Sequence, residues 1–151
     1  MTERFDYQKA SPGAFQAMLG LEGHLAKSDL EPSLLHLVKI RASQINSCAL
    51  CIDMHTKEAR QDGESEQRIY GLSCWRETPY YSDKEQAALA WTEANTLIAS
   101  SDISDELFSE LQQHFNQRQL VDLTLAVVAI NSWNRIGRSF LPPVGEYQPV
   151  R

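Results

Sequence analysis

Wherever apolar residues cluster in this chain they recur three and four positions apart, and no segment alternates convincingly, so its elements read as helices rather than strands. Phe15, Met18, Leu21 and Leu25 follow Ser11-Pro12, a cap residue and a proline suited to a first turn. A second helix is predicted from near Pro32, with Leu34, Leu35, Leu37, Val38, Ile40 and Ile45 making a broad apolar face. Ser47 to Arg60 reads as a third, capped by Asn46 or Ser47 and stopped at Gly63. The alternative is one long bent helix from Pro32 to Arg60. Glu66 to Trp75 is a shorter candidate, and Ser82-Asp83-Lys84-Glu85 is a capping box ahead of another helix. Ser104-Asp105-Glu106-Leu107 repeats the start signal. The last helix should span about Gln117 to Arg138. Its Leu120 to Ile130 stretch is apolar nearly all round, which predicts the central buried helix, and Pro142-Pro143 cannot continue it. The expected fold is all-α, a bundle of about six to seven helices.

With 151 residues, no internal repeat and no long linker, residues 1–151 read as a single domain able to bury its own core. A formal net charge of -6 excludes nucleic acid and anionic membrane as expected partners, because both need a positive footprint. No apolar stretch approaches the ~20 residues that cross a bilayer. The start, Met1 to Asp6, lacks the basic and apolar regions of a signal peptide, so the expected compartment is the reducing cytoplasm. Three cysteines in that compartment are not a disulfide framework, and a close pair among them points to redox or metal chemistry.

That pair lies in Cys48-Ala49-Leu50-Cys51-Ile52-Asp53-Met54-His55. On a helix Cys48 neighbours Cys51, and Cys51 neighbours His55 one turn on. The two cysteine Cα atoms would sit roughly 5 Å apart, within reach of a disulfide. Cys48 would lie in the first turn, where the helix dipole and unpaired N–H groups favour a thiolate. His55 can take the proton of Cys51, directly or through water, and Cys48 can then resolve an oxidised Cys51 as a disulfide. A structural zinc site would want four ligands, and none assemble in the sequence. A haem attachment would need His where Ile52 stands, and a thioredoxin-like pair would follow a strand. Two inert core cysteines are the remaining alternative. Neither metal nor cofactor is expected, and no glycine-rich phosphate loop is present. Cys74 has no partner in register and is expected in the core. His24 and His114 have no clear role. Asn131, Trp133, Asn134 and Arg135 either line a pocket or subunit contact or serve packing and capping.

Leu37-Val-Lys-Ile-Arg-Ala-Ser-Gln-Ile-Asn46 followed by Cys48-x-x-Cys51-x-x-x-His55 resembles the AhpD-like alkylhydroperoxidases of the carboxymuconolactone decarboxylase family. Leu123-Thr124-Leu125 and Ile130 to Arg135 are similar to the C-terminal part of the same subfamily, and the likeness covers most of residues 12–150. The resemblance implies an AhpD-like helical fold assembled as a homo-oligomer, trimer or hexamer. It implies hydroperoxide reduction with Cys51 as peroxidatic and Cys48 as resolving thiol. It also implies re-reduction by an external dithiol, such as a lipoylated or thioredoxin-like donor. Family members that decarboxylate a lactone generally lack both cysteines. One position departs: the family's relay glutamate, twelve residues before the first cysteine, is His36 here. His36 can shuttle a proton but cannot supply a fixed negative charge to hold His55 basic, so His36 joins Cys51, Cys48 and His55 as the fourth site candidate. The position of an extra histidine found between the cysteines in some members is Leu50. Besides a thiol-dependent hydroperoxide reductase, the sequence admits a thiol–disulfide exchange protein or redox sensor, and a non-enzymatic helical oligomer.

Overall fold

In the computed structural model, which describes residues 2–149, the chain forms eight α-helices and a 3₁₀ segment, with no strand among the described residues. In order they are α1 (Tyr7–Ala10), α2 (Pro12–Leu25), α3 (Pro32–Ile45), α4 (Ala49–Gln61) and α5 (Glu66–Gly71), then the 3₁₀ segment Leu72–Glu77. There follow α6 (Asp83–Thr96), α7 (Asp105–His114) and α8 (Gln117–Phe140). The local signals explain the boundaries. Ser82 and Glu85 exchange both bonds of the capping box, Ser104 accepts from the Leu107 N–H, and Asn116 with Gln119 caps α8. Gly63, at φ +94°, follows the end of α4 in a conformation glycine adopts without a Cβ clash. The short α1, capped by Asp6, was not anticipated from apolar spacing because it buries nothing.

The centre of the bundle is α3. Leu34 and Val38 meet Trp91 of α6, Leu111 of α7 and Leu123 and Val127 of α8 in one cluster. Leu37 and Ile40 meet Ala59, Leu72, Trp75 and Leu89 in a second. The expectation that α8 is the wholly buried central helix is corrected here. Leu123, Val127 and Ile130 are buried, but Val121 and Val128, one heptad apart, are 66% and 49% exposed. Helices α2, α3, α4, α6 and α7 pack around α8 and leave a narrow stripe that includes these two valines in solvent.

Two further expectations change. No continuous helix joins α3 to α4, and neither Asn46 nor Ser47 is the cap. Ser47 turns left-handed (φ 54°), which breaks the chain and makes Cys48 the N-cap residue rather than a first-turn residue of α4. Cys74 is exposed rather than in the core. The segment kinks at Cys74 (φ -126°, ψ 36°), with Leu72 and Trp75 on the buried side and Cys74 left outside.

Candidate active site

Cys48 and Cys51 join a small core cluster with Ala42 of α3 and Ile130 of α8, where three helices converge. The turn between α3 and α4 is held there by buried amides. Asn46 Nδ2 donates to Asn131 Oδ1 at 3.0 Å and Asn134 Oδ1 at 2.9 Å, and Asn134 Nδ2 donates to Ser43 Oγ at 3.0 Å. Arg138 closes the turn by donating to the Asn46 and Ser47 carbonyls, each at 3.0 Å. Asn131 and Asn134 therefore serve packing, satisfying buried polar groups that would otherwise cost stability. Arg135 binds back to the Asn131 carbonyl at 2.9 Å.

Cys48 and Cys51 are disulfide-bonded, with Cα atoms 5.4 Å apart, close to the helical spacing expected. The bond passes beside Gly137 of α8. A Cβ at that position would lie 3.0 Å from Cys48 Sγ and 3.7 Å from Cys51 Sγ, so glycine leaves the room the sulfurs occupy. Alanine is otherwise favoured over glycine inside a helix by roughly 0.5–1 kcal/mol. Here overpacking should win, because the linked sulfur cannot rotate away. Gly137→Ala is expected to lower the melting temperature of the oxidised protein, with a smaller loss once the pair is reduced; melts with and without reductant check this.

Cys51, His55 and Glu58 of α4 all line one cavity of about 460 Å³, a volume suited to a small organic molecule. Its wall is largely apolar, built from Phe15, Leu19, Leu50, Met54, Trp133 and Ile136. Trp133 is thus a pocket residue, its Nε1 donating to Glu22 Oε1 at 3.1 Å, and Glu22 Oε2 accepts from Lys39 Nζ at 2.8 Å. His55 Nδ1 donates to Glu58 Oε2 at 2.7 Å, and the Tyr147 hydroxyl donates to Glu58 Oε1 at 2.6 Å. Burial alone would raise the Glu58 pKa. The hydrogen bonds from His55 and Tyr147, with the charges of His55 and Lys39, outweigh it and hold the carboxyl at about 2. Burial and that same carboxylate push the Tyr147 phenol up to about 12. An ionised Glu58 requires a proton on His55 Nδ1, so Nε2 is the accepting nitrogen of the neutral ring.

Tyr147 arrives from the tail, which folds back over α4. Gly145 N–H donates to Asp53 Oδ2 at 3.2 Å, and Lys57 Nζ donates to the carbonyls of Gly145 at 3.2 Å and Tyr147 at 2.9 Å. Sequence reasoning missed both Glu58 and Tyr147. Glu58 carried a readable signal, lying three residues after His55 on the same helix face. Tyr147 carried none, because a long-range contact of an irregular tail has no period.

Cys48, Cys51 and His55 are brought together as expected from their spacing, while His36 is not among them. Its Nε2 donates to Asp62 Oδ2 at 2.7 Å, and it lines a separate shallow cavity beside Glu58 and Tyr147. The carboxylate bonded to His55 is Glu58. His24 donates to buried Asp122 of α8 at 2.8 Å, and His114 lies 3.4 Å from Glu110. Among the described residues no three His, Cys, Asp or Glu side chains gather as metal ligands, and no helix is long and apolar enough to cross a membrane.

Residues 12–94 match the carboxymuconolactone decarboxylase family. The chain belongs to this family. Among family relatives, the uncharacterised protein YdfG of Bacillus subtilis is 45% identical over 136 residues, covering 90% of this chain and 92% of YdfG. A crystal structure from Agrobacterium tumefaciens, of a protein of unknown function described as a candidate antioxidant defence protein AhpD, superposes with a TM-score of 0.90. It is 46% identical and covers 99% of this chain and 100% of its own. The AhpD core of an uncharacterised peroxidase-related protein from Ralstonia eutropha shares the fold at 14% identity, with a TM-score of 0.81 over 93% of this chain and 75% of that one. The carboxymuconolactone decarboxylase fold seen here is the AhpD-like form, all-helical with the cysteine pair at the convergence of α3, α4 and α8.

Proposed function

We propose that the protein is a thiol-dependent hydroperoxide reductase of antioxidant defence. One observation carries the reading: Cys51 opens into an apolar cavity that also holds a histidine oriented by an ionised carboxylate. The antioxidant description of the Agrobacterium relative supports it. In the reduced protein His55 Nε2 takes the Cys51 proton, leaving a thiolate beside an imidazolium that Glu58 stabilises. The thiolate attacks the distal peroxide oxygen, the O–O bond breaks, and the departing alkoxide leaves as alcohol with the His55 proton. Cys51 is then a sulfenic acid. The Cys48 thiolate attacks its sulfur, hydroxide leaves and is protonated to water, and the disulfide forms. An external dithiol returns both sulfurs to thiols and leaves as its own disulfide. His36 has no step in this cycle.

The cavity wall sets the preferred substrate. Six apolar side chains reward an organic hydroperoxide at roughly 25 cal/mol per Å² buried, a gain hydrogen peroxide cannot make. Stopped-flow oxidation of the reduced protein is expected to run at least tenfold faster with cumene hydroperoxide than with hydrogen peroxide. Failure of any hydroperoxide to form the Cys48–Cys51 disulfide faster than in an unfolded control would reject the peroxidase. A protein that still exchanges readily with dithiols would then be a thiol–disulfide exchange protein.

A further inference from the structure

One ion pair in the substrate cavity has no step in the cycle above. Lys39 and Glu22 both line the cavity, and Lys39 is its one lysine or arginine among the described residues. The Lys39 side chain is 15% exposed, and a charge so far removed from water is costly unless it is paired. Glu22 Oε2 accepts from its Nζ at 2.8 Å, and Glu22 Oε1 accepts from the Trp133 indole at 3.1 Å, which fixes the carboxylate and with it the ammonium. An ammonium carries three donors, and the Glu22 bond uses one. Lys39 stands three residues before Ala42 on α3, so it shares the helix face by which Ala42 joins Cys48 and Cys51. Its charge also reaches Glu58, the carboxylate bonded to His55.

We propose that Lys39 is the leaving-group donor of the peroxide reaction, its ammonium hydrogen-bonding the proximal peroxide oxygen while the O–O bond breaks. The inference rests on the hydroperoxide reductase reading and adds a second charged group to it. As the Cys51 thiolate attacks the distal oxygen, the S–O bond forms and the O–O electron pair moves onto the proximal oxygen. Sulfur is oxidised by two electrons, the peroxide is reduced by two, and negative charge grows on the departing oxygen. An alkoxide is a strong base, and the largely apolar wall offers it little hydration. A cation already held in place stabilises that charge where it develops, with no reorganisation at the moment of reaction. The proton that turns alkoxide into alcohol still comes from the His55 imidazolium, and Lys39 keeps all of its own. Glu22 is then a positioning residue, holding the ammonium without consuming its other donors.

The test compares two small peroxides that differ in what departs. tert-Butyl hydroperoxide releases a strongly basic alkoxide, whereas peracetic acid releases acetate, which needs little stabilisation. Stopped-flow oxidation of the reduced full-length protein is followed at pH 6, where both oxidants are uncharged. Removing one donor to a developing oxyanion costs about 10²–10³ in rate, and here the His55 proton shares the task. Lys39→Gln should therefore slow tert-butyl hydroperoxide at least thirtyfold and peracetic acid less than threefold, so that the ratio of the two rates falls at least tenfold. Taking the ratio cancels any change in the Cys51 thiolate fraction, because both oxidants meet the same thiolate. An equal loss with both oxidants, or a loss with neither, overturns the proposal. Glu22→Gln separates the charge from the link between α2 and α3, since it breaks the ion pair and leaves the ammonium. It should slow both peroxides by a common factor, with their ratio within threefold of wild type. A ratio lowered as far by Glu22→Gln as by Lys39→Gln would mean that the pair acts only through structure, and the proposal falls. Wild-type protein inert to both peroxides would refute the reductase and this inference together, whereas a reactive wild type whose ratio Lys39→Gln leaves unchanged refutes the role of Lys39 alone.

Discussion

Cys51→Ser is expected to abolish peroxide-dependent turnover, by 10³-fold or more, while leaving the melting temperature of the reduced protein nearly unchanged. The magnitude follows from the role: a hydroxyl in place of the thiolate lacks both the charge and the polarisable sulfur, and losing a nucleophile removes the steps that depend on it. The fold should survive because serine is nearly the same size, and the cluster of Ala42, Cys48 and Ile130 around it keeps its other contacts. Cys48→Ser should separate from it. That variant is expected to consume one equivalent of hydroperoxide and stall as the Cys51 sulfenic acid, which dimedone labelling detects. Unimpaired multiple turnover in Cys51→Ser would remove the cysteine pair from the chemistry altogether.

Glu58→Gln is expected to have the second largest effect, lowering kcat/KM for hydroperoxide by about 10²-fold, within the range that losing an oriented general base costs. Glutamine removes the charge that fixes the proton on Nδ1, so the population of the correct tautomer falls. The conservative Tyr147→Phe, which removes one hydrogen bond and leaves the charge, should cost less than tenfold. His36→Gln should change the rate less than twofold, since His36 is bound to Asp62 outside the substrate cavity. Stability should follow pH in a defined way. The Glu58 pKa falls from 4.5 in the unfolded chain to about 2 in the folded one. The folded state therefore binds fewer protons, and this contribution is fully present above pH 4.5 and is lost as pH falls through about 2. Screened at this partly exposed site it amounts to about 2 kcal/mol. Wild type and Glu58→Gln should differ by that amount in urea unfolding at pH 7 and converge towards pH 2.

Much of the molecule is written in local chemistry. The capping boxes at Ser82 and Asn116, the proline starts of α2 and α3 and the glycine after α4 need only nearby residues, and they appear where short-range rules put them. The Cys48–Cys51–His55 spacing is likewise a property of one helix. Interruption of the chain at Ser47 was not legible in the same way. A left-handed serine costs roughly 1–2 kcal/mol and occurs here because Arg138 and the Asn131 and Asn134 amides hold the turn from the far end of the chain. Cys74 and the exposed valines of α8 were misjudged for a related reason: hydrophobicity states which residues would gain from burial, and packing decides which of them obtain it.

The division between the two sources of information runs through the active site itself. Residue types and their helical period determine that Cys51 and His55 stand one turn apart on α4 with Cys48 at its N-cap, because that geometry needs no contact beyond one turn of hydrogen bonds. Which carboxylate serves the imidazole was a matter for the assembled molecule. At position 36 the helix α3 carries a histidine drawn to Asp62, and the charge comes from Glu58, held by a tyrosine 89 residues away in sequence whose tail is tied down by Lys57 and Asp53. Such a contact depends on where the chain returns in space, and no pattern within the chain's local sequence encodes it.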